Sequence, residues 1–267
     1  MYNTNLKSSR FWSSIVDIIK FFLVIAAITW LMLNGTEKLG YNWQWYRVPQ
    51  YLYVVTDGQF ISGPLLDGLM VTFRITAISF VLAFSLGLVT ALLRLSNSQI
   101  GKIVSRGYVE IIRNTPLLVQ LFFIYFVLSP VFDISGFTSA VLALSLFEGA
   151  YASEIFRAGI VSIHRGQWEA AFSIGLNTYQ TYRLIVLPQA IRRILPPLTS
   201  QAVSLIKDSA LVSTIAIYDL TMRGQTIIAK TFLVFEIWFT VAAIYLTVTL
   251  ALSLTVFYME KKFKLDY

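Results

Sequence analysis

"VTFRITAISFVLAFSLGLVTALL", residues 71–93, carries a single charge, Arg74. About 20 apolar residues in a helix cross a hydrocarbon core of about 30 Å. A run of this length and composition reads as a transmembrane helix, because an isolated span in lipid can satisfy its backbone groups in no other way. Taken outward along the chain, the same ruler predicts six crossings: about 15–33, 69–93, 114–132, 137–157, 190–212 and 232–257. The expected fold class is an all-α polytopic membrane protein.

Composition agrees. Of 267 residues, 57% are hydrophobic and 13% charged. Soluble domains carry about 25% charge, and so apolar a chain lacks the polar surface to cover a core of this size. The absence of cysteine excludes disulfide scaffolds and thiolate metal sites. A single histidine, His164, excludes a multi-histidine metal cluster. Residues 1–13 are polar and weakly basic, and 14–33 are mostly apolar, which raises the possibility of a signal peptide. Asp17 and Lys20 interrupt the early part and no small-x-small cleavage site follows, so an uncleaved first span is expected.

The net charge of +7 is distributed by side. Lys7, Arg10, Arg94, Lys102, Arg106, Arg113, Arg157, Arg165, Arg183, Arg192, Arg193, Lys261, Lys262 and Lys264 fall together; Lys38, Arg47, Arg223 and Lys230 fall opposite. Fourteen against four predicts both termini in the cytoplasm. Residues 34–68 form the longest outside segment, and "YNWQWYRVPQYLYVV" is rich in Trp and Tyr, which favour the headgroup region. A surface-lying helix is expected there, with turns at Asp57-Gly58 and Gly63-Pro64. Small residues recur every four positions, as Ala83, Gly87 and Ala91 in the second span and Ser145, Gly149 and Ser153 in the fourth. Each row admits a neighbouring helix closely, either as ordinary packing or as a movable core around a pathway.

The longest cytoplasmic interruption, about 158–189, contains "EAAFSIGLNTYQTYRLIVLPQA", residues 169–190. Trp168, Ala171, Phe172 and Leu176 share one face of a short helix. Glu169 is placed near the start of that helix, where a negative charge suits the dipole, and Gly175 permits a turn. Such a helix rests on the membrane, connects two spans, or docks a soluble partner.

"EAAFSIG", residues 169–175, resembles the EAA loop of the membrane subunits of bacterial ATP-binding-cassette importers. "IRNTPLLVQLFF" at 112–123, "GAYASEIFRAGI" at 149–160, "IVLPQAIRRILPPL" at 185–198 and "LIKDSALVS" at 205–213 are similar to the branch that imports polar amino acids. Ala210 stands where that branch often has serine. The resemblance covers about 66–260 and implies a type I permease core of five helices, with one extra N-terminal transmembrane helix in this chain. It divides the chain into 1–65, a span plus an aromatic-rich extracytoplasmic loop; 66–260, the core, with a coupling helix at about 165–178; and 261–267, a basic cytoplasmic tail. It also implies a bacterial plasma (inner) membrane location. The partners implied are a second permease subunit, the same or homologous, two cytoplasmic ATPase subunits that hold ATP and Mg, and an extracytoplasmic solute-binding protein. The cargo implied is a polar amino acid, with glutamate, aspartate or glutamine favoured.

Carried over residue by residue, the coupling elements are Glu169, Ala170, Ala171 and Gly175, flanked by Trp168 and Ile174. Alanines allow close approach, and a glutamate can make a charge-assisted bond to a partner's cation. This chain has no Gly-x4-Gly-Lys-Ser/Thr loop, so it supplies no ATP chemistry, and no cofactor of its own is expected.

Charges inside spans are costly and often functional. Arg74 either attracts an anionic or zwitterionic solute or snorkels to the interface. Glu148 lines a path, pairs with a basic group, meets an amino group, or packs structurally. Glu154 and Arg157, three apart, are expected to pair. Lys207 and Asp208 mark either a broken helix near the pathway or a polar turn. Glu236 is expected at the interface, and Gln120 and Gln201 are expected to bond between helices. A secondary transporter or channel also has six spans and intramembrane charges, but it leaves the EAA loop without a purpose, and no inverted repeat is visible. An intramembrane enzyme needs a nucleophile–base pair or metal ligands, which one histidine outside the spans does not supply.

Overall fold

In the computed structural model, backbone structure is described for residues 5–38, 40–56 and 58–263, and side chains chiefly for 16–55 and 58–258. Lys7, Arg10, Lys261, Lys262 and Lys264 of the charge count therefore lie outside the described side chains, as do Asp57 of the expected turn and residues 264–267 of the tail. The chain divides into two units, 1–45 and 46–267.

The first unit is one long helix, α1 (Asn5–Lys38), in which Val16–Gly35 is long and apolar enough to cross a membrane. Past Gly40, at φ +64°, the rings of Trp43 and Trp45 stack 5.8 Å apart.

The second unit opens with a single turn, α2 (Pro49–Leu52), and an antiparallel hairpin, β1 (Tyr53–Thr56) and β2 (Gln59–Ser62). The hairpin corrects the expectation of a surface-lying helix. Tyr53, Val54 and Val55 face Ser62, Ile61 and Phe60 in register, and β-branched and aromatic residues fit a pleated surface. Residues 46–65, grouped by sequence with the first span, belong with the core instead. Leu65 is fully buried among Leu220, Ile227 and Leu233, and Tyr51 and Leu52 pack against that cluster. The expected Gly63-Pro64 turn is the start of α3 (Pro64–Leu95), with Pro64 at the first helical position.

After α3, Ser98 caps α4 (Gln99–Arg113) by accepting from the Gly101 N–H at 3.0 Å. A search for long apolar spans passes over this amphipathic helix: Ile100, Ile103, Val104 and Ile111 recur at helical spacing, but Lys102, Arg106 and Glu110 keep the run from reading as a crossing. α5 (Leu117–Phe122), a π-helical stretch Phe123–Leu128 and α6 (Ser129–Phe132) continue one another. Together they turn 106° from α4. Pro116 stands at the bend, and the Gln120 amide donates to the Ile112 and Thr115 carbonyls at 2.8 and 3.1 Å. Those bonds satisfy carbonyls that the end of α4 leaves open. The third span thus begins at Leu117, not at 114.

α7 (Gly136–Val161) packs along α3. The Ser145 hydroxyl donates to the Ser79 carbonyl at 3.5 Å. A Cβ on Gly149 would lie 3.2 Å from the Ala83 carbonyl, and one on Gly87 would lie 2.8 Å from the Ala152 Cβ. The pairs advance together, so the two helices run parallel, as two spans separated by one return crossing should. The two predicted rows of small residues are therefore the two sides of one seam.

α8 (Arg165–Ser173) follows, then α9 (Thr178–Thr181), a π-helical turn Tyr182–Val186 and α10 (Leu187–Asp208). The helical run begins near 178, well before the expected 190, and gives way at Asp208 to a 3-10 segment, Ser209–Ile215. By length and composition, four described helices can cross a membrane, or five if α4 with α5–α6 counts as one bent span. α10 is not among them, because Arg192, Arg193, Lys207 and Asp208 punctuate it.

α11 (Leu220–Thr231), not foreseen, precedes α12 (Val234–Phe263). Asp219 caps α11 by accepting from the Met222 N–H at 2.8 Å. Glu236, expected at the interface, is fully buried in the first turn of α12.

Candidate functional site

α8 is held by caps at both ends. Nδ1 of His164 accepts from the Gly166 N–H at 3.0 Å. At the other end the Leu176 N–H bonds to the Ala171 carbonyl at 3.1 Å and the Gly175 N–H to the Phe172 carbonyl at 3.0 Å. With Gly175 at φ +84°, this is a Schellman termination. Two residues on, Asn177 and Gln180 cap one another reciprocally at 2.9 and 3.0 Å, a capping box that starts the next helix. The expected helix of 165–178 is therefore split at Gly175.

One face of α8 grips its own chain. Ala171 is buried, and the Trp168 ring meets the Tyr182 ring edge-on at 4.9 Å beside Ile163 and Val186. Trp168, expected as a flanking docking contact, is partly buried and anchors α8 to its own chain. Gln189 donates to the Gln167 side chain at 3.3 Å, which ties α10 to α8. Phe172, grouped by periodicity with Trp168 and Ala171, lies about 100° around the helix from Ala171 and is 49% exposed. Glu169, Ala170, Ile174 and Gly175 are exposed too, Ile174 at 75%. Glu169 is not in the first turn. It is the fifth residue of α8, and Nε of Arg165 at the helix start donates to it at 2.9 Å. The site is an outward surface of two apolar side chains and one carboxylate on a turn fixed from behind. Phe172, absent from the carried-over coupling set, belongs to this outward surface, because the buried stripe of so short a helix is too narrow to include it.

The expected Glu154–Arg157 pair forms at 2.8 Å and is one part of a larger group. Nη1 of Arg94 also donates to Glu154, and Arg113 stands 4.0 Å from it. One carboxylate thus joins the ends of α3, α4 and α7. Sequence spacing found the local partner and missed the two that come from other helices.

Glu148 is buried and accepts from the Gln201 amide, with Asp208 within hydrogen-bond reach. Gln201 thus bonds between helices as expected, and no basic group pairs with Glu148 among the described residues. Its Oε1 is buried without a hydrogen-bond partner. Lys207, one residue before the helix break, is exposed. Arg74 is exposed on the face of α3 turned away from α7, so the fold does not bring it to Glu148 and Asp208.

The family described as "Binding-protein-dependent transport system inner membrane component" matches residues 66–265. The glutamine transport system permease protein GlnP of Escherichia coli K12 is 39% identical over 204 residues, covering 75% of this chain and 93% of that protein. The L-cystine transport system permease protein TcyB of Bacillus subtilis 168 is 39% identical over 237 residues, covering 87% and 97%. A crystal structure of an amino acid ABC transporter with histidines superposes with a TM-score of 0.71 at 38% identity, covering 74% of this chain and 94% of the other.

Proposed function

The chain belongs to the family of binding-protein-dependent transport system inner membrane components, and from that premise we propose how it works with its partners. It is the transmembrane subunit of an ATP-driven amino acid importer. Hydrolysis of ATP, with its Mg, takes place on a separate ATPase chain. Two such ATPases, a second permease subunit and an extracytoplasmic solute-binding protein complete the machine. Both termini face the cytoplasm, and α8 faces the ATPase.

The observation that carries this reading is the outward surface of α8. Phe172 and Ile174 expose apolar area beside Glu169, and exposed apolar residues rimmed by polar ones mark contact sites. Ala170 and Gly175 leave the backbone approachable. Trp168 and Ala171 transmit force, because their burial fastens α8 to the helical run that leads into α10. When the ATPases close on ATP, the α8 turns move with them. The spans then open outward to receive the solute, and they release it inward on reset.

Along the path, the acidic pair Glu148 and Asp208 suits the ammonium of an amino acid, because no cation pairs with it among the described residues and Glu148 keeps an open acceptor. Lys207, beside the helix break, and Arg74 take the opposite charge. Arg74 does so from the outer face of α3, which a second subunit must cover. Glutamine, glutamate and aspartate are the favoured cargoes.

Glu169→Lys tests the docking role. The variant is expected to insert and fold normally, recover about tenfold less ATPase on co-purification, and stop uptake, as expected for loss of a charge-assisted contact. Equal ATPase recovery with equal transport would overturn the assignment.

A further inference from the structure

At the end of the second unit that carries α8 lies a cleft of about 560 Å³ between α7, α10 and the α4 bend. The docking role of α8 makes no use of it. Arg113 and Arg193 project on it beside Glu154, and Ile155, Ala158 and Pro197 form its apolar part.

The cleft is short of negative charge. Glu154 is shared among Arg94, Arg157 and, more distantly, Arg113. Glu110 borders Arg113 in an adjoining cavity of about 220 Å³. Four guanidinium groups, on Arg94, Arg113, Arg157 and Arg193, thus face two carboxylates, Glu110 and Glu154, which leaves an excess of two positive charges. It is also short of an acceptor. Nη1 of Arg193 donates to the Ser162 carbonyl and hydroxyl at 2.7 and 3.0 Å, while its Nε–H is buried with no hydrogen-bond partner. A buried donor without an acceptor is costly. A bound anion would offset the excess of positive charge.

We propose that this cleft binds a phosphate group, carried either by an acidic phospholipid headgroup or by free phosphate. Guanidinium forks match phosphate oxygens bidentately, and a tetrahedral anion has acceptors enough for Arg113 and Arg193 together. The apolar part of the cleft accommodates what a lipid headgroup is attached to, and basic pockets between transmembrane helices hold such headgroups. The site does not depend on α8 docking an ATPase, so each reading can fail without the other.

The full-length chain in phosphatidylcholine nanodiscs doped with phosphatidylglycerol provides the test, with retained lipid counted by native mass spectrometry and melting followed against added inorganic phosphate. Arg113→Gln and Arg193→Gln should each lower the bound anion roughly tenfold, the loss of one charge-assisted contact. Arg192→Gln, on the exposed side of the same helix, should change nothing. Arg113→Gln leaves the Arg193–Ser162 bond intact, so its result stands even if Arg193→Gln fails to fold. Retention of phosphatidylglycerol without a response to inorganic phosphate identifies the lipid headgroup; a melting shift with inorganic phosphate identifies the free anion. Equal retention and equal melting in all three variants, or a stronger response to glutamate than to phosphate, would overturn the proposal.

Discussion

The α3–α7 seam and the α8 turn both rely on glycine, for opposite reasons. At Gly87 the backbone is ordinary helix, and the limit is space: a Cβ would lie 2.8 Å from the Ala152 Cβ and 3.0 Å from the Gly149 carbonyl. At Gly175 a Cβ would meet nothing within 4 Å, and the limit is the dihedral, φ +84°. One glycine answers to a helix 60-odd positions away and the other to its own peptide bond. The seam is therefore a tertiary object with a local sequence signature, whereas the turn is a local object with a tertiary job.

The largest effect should come from crowding the seam. Gly87→Leu must push two helix backbones apart, at a cost of more than about 3 kcal/mol, and should yield little monodisperse protein on size exclusion. Gly175→Ala should cost about 1–2 kcal/mol of backbone strain and leave a folded chain with a modestly lower melting temperature. If Gly87→Leu melts like the native chain, the distinction is lost.

Next in size is the far end of α3, where a Cβ on Gly68 would lie 2.7 Å from the Asp219 carbonyl. The Asp219 carboxyl is fully buried there, and burial pushes it up to about 6 from its ordinary 3.8, against the lowering effect of the Met222 N–H. A carboxyl raised on folding stabilises the fold when protonated. That stability is complete below about pH 4 and is lost as pH rises through about 6. The displacement is worth about 3 kcal/mol at most. Asp219→Asn should flatten the melting temperature between pH 4 and 6, and an unchanged slope would show that the carboxyl is solvated.

The smallest effect belongs to the turn. Arg165 and Glu169 pair while 90% and 64% exposed, and such pairs are worth about 0.3–0.5 kcal/mol. Arg165→Gln should leave melting unchanged, and a large loss would mean that α8 needs this pair to fold.

How much was legible follows the same division. Apolar length located α3, α7 and α12, and four-residue spacing found both sides of the seam. The Glu154–Arg157 pair was readable because both members share a helix. Arg94 and Arg113 were not, since they reach Glu154 from other helices. α11 and the hairpin escaped because each is short and takes its stability from its neighbours, and α4 escaped because its interleaved charges break the apolar length that marks a span. Trp168 and Phe172 were placed on one face of α8, and packing divided them.

The sequence by itself determined that this chain lives in a bilayer, where its apolar runs lie, and that its 169–175 loop matches a docking signature. Solvent transfer and backbone satisfaction in lipid are properties of single segments, so composition and local motif suffice to read them. Only the tertiary structure decided that Trp168 turns inward and Phe172 outward, that one glutamate gathers three arginines, and that Arg74 stands apart from Glu148. Those outcomes depend on which helix covers which face, and contacts between residues distant in sequence leave no fixed spacing in it.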